Sequence, residues 1–328
     1  MGAFEGPAAP PSETFIRPEA MEYKTLGNTG CRVPEIGLGT WQYTGGPEPL
    51  RRGIELGAYL VDTAEFYSTE GVVGRVAKGM RDRVFIATKV SPSHFRYREV
   101  LAAADRSLRL LGTDYIDLYQ LHWPNPSIPI EETMGAMEAL ADAGKVRFIG
   151  VSNFSVAEFQ EAQAALSKHP LVSNQVEYSL LHRHPERNGL LAACQELGVT
   201  LIAYSPLAQG ILTGKYGPER PPAGFRRGRY HSKAFWARAR PVLEALRAVA
   251  AARGKTPAQV ALNWVMARGA IPIPGAKNAR QAQENAGALG WRLTEEELAS
   301  LDEAAGEPVP GAVPGPTSEG PCPTLKTQ

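Results

Sequence analysis

Between residues 34 and 273 the chain alternates short, continuous apolar runs with longer stretches whose apolar positions recur at helical spacing. The runs at 34–38, 58–61, 84–88, 115–121, 147–151, 171–176, 200–204 and 270–273 read as eight strands. Apolar stripes mark helices between them: Val100, Ala103, Leu108 and Leu111, then Phe159, Ala162 and Leu166, then Leu190, Ala193 and Leu197. The strands are apolar throughout rather than alternating, as strands covered on both faces are. With strand ends at Gly39, Asp62, Lys89, His122, Ser152, Gln175 and Tyr204, the intervals run from 23 to 33 residues. That is the length of one β-loop-α-loop unit of parallel sheet. Eight such units predict an α/β fold closed as a (β/α)8 TIM barrel.

Residues 23–33 carry the turn Gly27-Asn28-Thr29-Gly30, a hairpin signal that we place as a lid on the N-terminal end of the barrel. About 66 residues separate Tyr204 from the last strand. They contain a Gly/Pro/Arg-rich loop at 217–233 and an apolar helix near 241–251, and extra helices are expected after the barrel. Ten of the 27 prolines fall within residues 1–20 and 307–328, where little apolar surface is available to offset the entropy of ordering. The expected organisation is a flexible N-terminal tail over 1–21, one barrel domain over 22–304 and a Pro/Gly-rich tail over 305–328.

Charge narrows the function. Thirty-five basic and 34 acidic residues balance to +1, unlike a nucleic-acid or membrane-surface protein. No apolar run reaches transmembrane length, and the first residues lack the basic flank and apolar core of a signal peptide. Cys31, Cys194 and Cys322 show no CxxC spacing, which disfavours a disulfide framework or a zinc site. The expectation is a reduced, cytoplasmic protein without a metal, either a monomer or a weak homo-oligomer.

Catalytic groups of a TIM barrel sit at the C-terminal ends of its strands. Asp62, Lys89 and His122 each close an apolar strand, and Tyr67 lies just beyond Asp62. Any one of them alone reads most simply as a helix cap or a satisfied semi-buried side chain. Four ionisable groups on one rim make a reaction site. Lys89 can favour the phenolate of Tyr67 and lower its pKa towards neutrality, while Asp62 keeps Lys89 charged and aimed. His122 can hydrogen-bond a substrate oxygen. The set suits proton transfer to a carbonyl oxygen, which makes sense if a nicotinamide delivers hydride to the carbon. Ser152, Asn153 and Gln175 suit a carboxamide, and Tyr204 offers a face for its ring.

Other motifs are weaker. Gly37-Leu38-Gly39 starts a dinucleotide fingerprint but has Gln42 at the third glycine position. Gly210–Lys215 is one residue short of a phosphate-binding loop. His182 and His184 have no third ligand nearby. Arg226, Arg227, Arg229 and Lys233 read as a solvated loop before a cofactor-phosphate lid.

Over residues 22–304 the chain resembles the aldo-keto reductases. The resemblance rests on residues 57–64 with Tyr67, Glu70, Val73 and Gly74; on residues 111–124, LGTDYIDLYQLHWP; and on Gly150-Val-Ser152-Asn153-Phe154, Asn174-Gln175-Val-Glu-Tyr178 and Ala203–Gly210. It implies a tetrad of Asp62, Tyr67, Lys89 and His122, with Tyr67 as general acid in NADPH-dependent carbonyl reduction. It also implies cofactor contacts from Gly39, Thr40, Trp41, Asp62, Ser152, Asn153, Gln175 and a stacked Tyr204. Ser205, Leu207, Gln209 and Gly210 then follow the pyrophosphate. At the adenosine end, Gly275 and Ala276 replace the Lys-Ser of the mammalian-type pattern and Gln281 replaces its arginine, with Glu284-Asn285 following. This is similar to a bacterial and plant branch with a Pro-Gly-x-Lys motif, in which Lys277 and Arg280 would face a 2′-phosphate; NADH remains open beside NADPH. Trp41, Phe66, Trp123 and Phe154, with Phe95, are expected to line an aromatic substrate mouth. Residues 271–278 and 287–291 resemble plant pyridoxal reductases.

Two other readings compete with carbonyl reduction. The β-subunits of voltage-gated potassium channels resemble the same family and act as cofactor-sensing partners with slow turnover. A Schiff-base aldolase would need Lys89 as an unpaired nucleophile.

Overall fold

A computed structural model describes residues 23–223 and 226–306, with backbone alone at 226 and 227. The tail expected at 1–21 lies outside the described residues, as does the tail expected at 305–328 from residue 307 onwards; Ala305 is the last residue of a helix. Two short strands, β1 (Tyr23–Thr25) and β2 (Arg32–Pro34), pair antiparallel. Eight parallel strands follow: β3 (Gly37–Gly39), β4 (Leu60–Asp62), β5 (Phe85–Val90), β6 (Ile116–Leu121), β7 (Val146–Ser152), β8 (Leu171–Glu177), β9 (Thr200–Tyr204) and β10 (Ile271–Pro272). Each strand neighbours the next in chain order, the arrangement that sequential βαβ units produce.

Helices α1 (Pro47–Glu55), α2 (Glu70–Ala77), α3 (Tyr97–Leu111), α4 (Ile130–Asp142) and α5 (Val156–Ala164) separate the strands up to β8. Helices α6 (His184–Arg187) and α7 (Leu190–Glu196) precede β9. The long interval before β10 holds α8 (Arg226–Tyr230), α9 (Lys233–Arg253) and α10 (Pro257–Ala267), and α11 (Ala279–Ala286) and α12 (Glu295–Ala305) follow the barrel.

The sheet curls until its first and last strands meet. Gly39 N donates to Pro274 O at 3.1 Å, and Gly39 bridges Gly275 in parallel. A Cβ on Gly39 would stand 2.6 Å from Ile273 O, and one on Gly37 would stand 2.8 Å from the Leu60 side chain. The Gly-x-Gly pair is therefore a requirement of close approach at this seam. At the N-terminal end the hairpin plugs the barrel as expected. Leu26 and Val33 pack with Leu60, Leu118, Val172 and Ile202, and Gly27 N donates to Thr200 Oγ1 at 2.7 Å.

Two elements differ from the sequence reading. The strand expected at 34–38 is split: Pro34 pairs with Tyr23 in the hairpin, the chain bends at Glu35–Ile36, and the barrel strand starts at Gly37. The helix expected near 241–251 begins eight residues earlier, because Ser232 caps it by accepting from Phe235 N at 3.1 Å. Pro241 lies inside α9 on its exposed face, so the carbonyl it leaves without an N–H faces water.

Near the strands' N-terminal ends, buried Asp117 gathers three elements. Its Oδ2 accepts from Arg81 Nη2 at 2.7 Å and Ile86 N at 2.9 Å, and its Oδ1 accepts from Arg147 Nη1 at 2.9 Å. Replacing Asp117 with alanine leaves two mostly buried guanidinium groups and a ladder N–H without this acceptor. We expect Asp117→Ala to lower unfolding free energy by about 3 kcal/mol in urea titration; a loss within about 0.5 kcal/mol would show that the cluster does not brace the barrel.

Candidate active site

Asp62 ends β4, Lys89 is the penultimate residue of β5, and His122 follows β6, with its N donating to Val90 O at 3.1 Å. Ladder bonds thus set three of the four ionisable groups. Tyr67 is held differently: it closes a single 3-10 turn, Glu65–Tyr67, whose N donates to Ala64 O at 3.0 Å. The turn ends on Ser68 at φ +57°, a left-handed backbone that glycine adopts with less strain.

These elements bring the four groups together. Lys89 Nζ donates to Asp62 Oδ1 at 2.6 Å and Thr63 O at 2.9 Å, with none of the lysine side chain exposed. The ammonium stands 4.9 Å from the centre of the Tyr67 ring. Tyr67 Oη lies 3.2 Å from His122 Nε2. With Nζ engaged in this way, Lys89 lacks the free amine that an aldolase nucleophile needs.

Burial pulls the Lys89 ammonium below its ordinary pKa, and Asp62 opposes that shift. Burial also takes His122 down to about 2, with Lys89 adding to the effect. The imidazole is therefore neutral, in keeping with a buried Nδ1 that has no hydrogen-bond partner among the described residues. Tyr67 departs from expectation. Its phenol is pushed well above the usual value by burial, then by Asp62 and Tyr204. The lowering expected from Lys89 is cancelled at its source, because Asp62 neutralises the ammonium at 2.6 Å. Tyr67 thus keeps its proton at neutral pH and can act as a donor.

A polar network extends from Asp62. Gln175 Nε2 donates to Asp62 Oδ2 at 2.8 Å and to Gln120 Oε1 at 3.3 Å. Ser152 Oγ donates to Gln175 O at 2.8 Å. Asn153, at φ +63°, donates through Nδ2 to His122 O and Ser152 Oγ, both at 3.1 Å, and accepts from Tyr204 Oη at 3.0 Å. Thr40 Oγ1 donates to Asp62 O at 2.9 Å, beside Gly39 and the exposed Trp41.

Beyond Tyr204 the backbone takes left-handed values at Ser205, Ala208, Gln209 and Gly210, around half-buried Leu207. Such turns make concave sites for anions. Across the seam, exposed Lys277 stands before α11, and Arg280 lies in its first turn. Gln281, at the start of α11, accepts through Oε1 from Lys277 N at 2.8 Å. Asn285 Nδ2 donates to Gly275 O at 3.4 Å, and Glu284 lies 3.9 Å from Arg280. An aromatic face, an amide set, left-handed turns and cations in this order fit a phosphorylated dinucleotide.

The aromatic residues divide. Trp41 and Phe66 are 43% and 57% exposed, and the Trp123 ring stacks on His122 at 3.7 Å. Phe154 and Phe95 are buried in the main hydrophobic cluster, so the structure does not bring them to the mouth. Each follows the polar end of a barrel strand, as a lining residue would, and sequence alone does not separate a core ring from a lining one. The 217–233 segment is less solvated than expected, since Arg229 Nη2 donates to Glu177 Oε2 at 2.9 Å and Tyr230 is fully buried. Among residues the sequence reading missed, Gln120, Thr63, Thr69 and Glu65 all serve this rim. Thr63, next to Asp62, and Glu65, Thr69 and Gln120, each two residues from a tetrad member, carried some signal as polar neighbours. Among the described residues no cluster could hold a metal, and no helix is long and apolar enough to cross a membrane.

The profile of the Aldo/keto reductase family matches residues 35–305. The chain is 35% identical over 308 residues to the chloroplastic pyridoxal reductase of Arabidopsis thaliana, covering 84% of each chain. It is 38% identical over 297 residues to a methylglyoxal reductase of Escherichia coli, covering 87% of this chain and 95% of that one. It also matches the crystal structure of an aldo/keto reductase from Klebsiella pneumoniae in complex with NADP and acetate. There the TM-score is 0.70 and the identity 37%, with 86% of this chain and 95% of that one covered.

The depressed His122 pKa has a direct consequence. The ring should stay neutral from pH 8 down to about pH 4 in an NMR titration of its Cε1–H resonance, because its folded pKa is about 2. The unfolded chain binds this proton near pH 6.5, so the residue's contribution to stability falls as pH drops below that value. A midpoint for His122 between pH 6 and 7 would contradict the burial argument.

Proposed function

The chain belongs to the aldo/keto reductase family, and from that premise we propose that it reduces aldehydes and ketones to alcohols with NADPH, using Tyr67 as general acid. The observation that carries the proposal is the convergence of Tyr67, His122, Lys89 and Asp62, with the Tyr67 hydroxyl 3.2 Å from His122 Nε2 and the Lys89–Asp62 pair beside it.

A carbonyl oxygen placed between the Tyr67 hydroxyl and His122 Nε2 is held by both. A nicotinamide, when bound, would supply hydride to the carbonyl carbon. Negative charge then grows on the oxygen, and Tyr67 passes its proton to it. The raised phenol pKa keeps that proton in place until the oxygen becomes basic enough to take it. The phenolate left behind faces the Lys89 ammonium, which Asp62 and the Thr63 carbonyl hold in position. Ser152, Asn153 and Gln175 would orient the carboxamide, Tyr204 would support the ring, and Ser205, Leu207, Gln209 and Gly210 would follow the pyrophosphate. Lys277 and Arg280 act as point charges towards a 2′-phosphate, while Gly275, Gln281, Glu284 and Asn285 shape that end. Trp41, Phe66 and Trp123 offer apolar surface to the body of the substrate. Pyridoxal and methylglyoxal, named by two relatives, are the chemistries to test first.

Tyr67→Phe should lower kcat by about 10²- to 10⁴-fold while NADPH affinity stays within about twofold. Full activity in this variant, read from loss of reduced-nicotinamide absorbance, would reject Tyr67 as the acid. Lys277→Ala should raise the KM for NADPH about tenfold and leave that for NADH nearly unchanged. Equal weakening of both would place the 2′-phosphate elsewhere. Tight NADPH binding without turnover of any carbonyl would overturn the reductase assignment.

A further inference from the structure

We propose that Glu65 is a positioning residue for the reaction: its carboxylate fixes the Tyr67 turn against the segment leaving β5 and so sets where the Tyr67 hydroxyl meets Lys89 and His122. The inference rests on the reading of Tyr67 as the acid.

Tyr67 is the one tetrad member that no strand ladder holds. Its turn is three residues long, and Glu65 is the residue at the other end. The Glu65 carboxylate gathers three donors. Ser91 N and His94 Nδ1 reach Oε2 at 3.1 and 3.0 Å, and Arg106 Nη2 reaches Oε1 at 2.8 Å. Ser91 is two residues beyond Lys89, so the bond joins the chain carrying Tyr67 to the chain carrying its ammonium partner. The same segment braces the third loop, since Asn125, three residues past His122, donates through Nδ2 to Pro92 O at 2.9 Å. The Ser91–His94 turn is thus a joint shared by the loops of Tyr67, Lys89 and His122, and Glu65 is the tyrosine's attachment to it. Placement of reacting groups is sensitive: about 1 Å of displacement can cost on the order of 10²-fold in rate.

The test combines Glu65→Ala and Glu65→Gln with Tyr67→Phe. Glu65→Ala is expected to lower kcat about 10- to 100-fold with the NADPH Kd, read by fluorescence quenching, within twofold. Glu65→Gln keeps an acceptor for Ser91 N and should recover part of the loss. In the Tyr67→Phe background Glu65→Ala should cost nothing further, because its effect passes through that hydroxyl. Unchanged kcat, an additive loss in the double variant, or an NADPH Kd that rises in step with the kcat loss would each overturn the proposal. Hydrogen exchange of residues 64–68 in the ligand-free protein tests the clamp independently of turnover. Faster exchange in Glu65→Ala supports it, and unchanged exchange rejects it. If the wild type reduces no carbonyl, the functional reading fails, and the exchange rates alone decide whether Glu65 holds the turn.

Discussion

A lysine with no exposed side-chain surface, at the centre of a barrel, persists only if its charge is met where it lies. Asp62 does this for Lys89 at 2.6 Å, and the Thr63 carbonyl accepts a second hydrogen bond from the ammonium. Removing two such ions from water is costly, and attraction alone rarely compensates unless the remaining lone pairs are also satisfied. Here they are: Gln175 and Gln120 both donate to the other carboxylate oxygen. The pair ties β4 to β5 and β8 through side chains as well as ladders. It also sets the electrostatics of its neighbours. His122 is pushed neutral beside the ammonium, and Tyr67 keeps its proton beside the carboxylate.

The barrel was legible because its signal is repeated. Apolar runs at steady intervals, each ending in a polar residue, locate strand ends more firmly than any one run does, and they placed Asp62, Lys89, His122, Ser152, Gln175 and Tyr204 on one rim. What escaped depends on contacts between residues far apart in the chain. Pro34 reads as part of a strand in sequence, and only its partner Tyr23 assigns it to the hairpin. The direction of the Tyr67 pKa followed from a neutralised lysine and from burial, neither of which adjacent residues reveal. Phe154 looked like a lining residue because it follows Ser152-Asn153, yet the backbone turn at Asn153 is compatible with a ring that enters the core. The left-handed backbone of Ser68, just past Tyr67, is a conformational demand that a serine in the sequence does not announce.

The rim is held with two degrees of stiffness. Strand-end residues inherit the rigidity of the sheet, whereas Tyr67, Trp41 and Phe66 ride on turns. Around β8 and the start of α11, bracing comes from side chains returning to the backbone or pairing with one another. Gln281 reaches Lys277 N, Asn285 reaches Gly275 O, and Arg229 pairs with Glu177 at the end of β8. Through that bond Gln281 orders the loop that carries Lys277.

The seam between Gly39 and Gly275 also bears on how the chain reaches this shape. The two partners come from opposite ends of the barrel sequence, on the order of two hundred residues apart, so this contact carries a large loop-closure entropy and forms late. Until then β3 and β10 are open edges, the kind of surface on which nascent chains aggregate. The protein limits the hazard by keeping both strands short, three and two residues long, and by giving the first of them glycine at both ends. An incompletely closed barrel therefore offers neighbouring chains very little backbone to pair with.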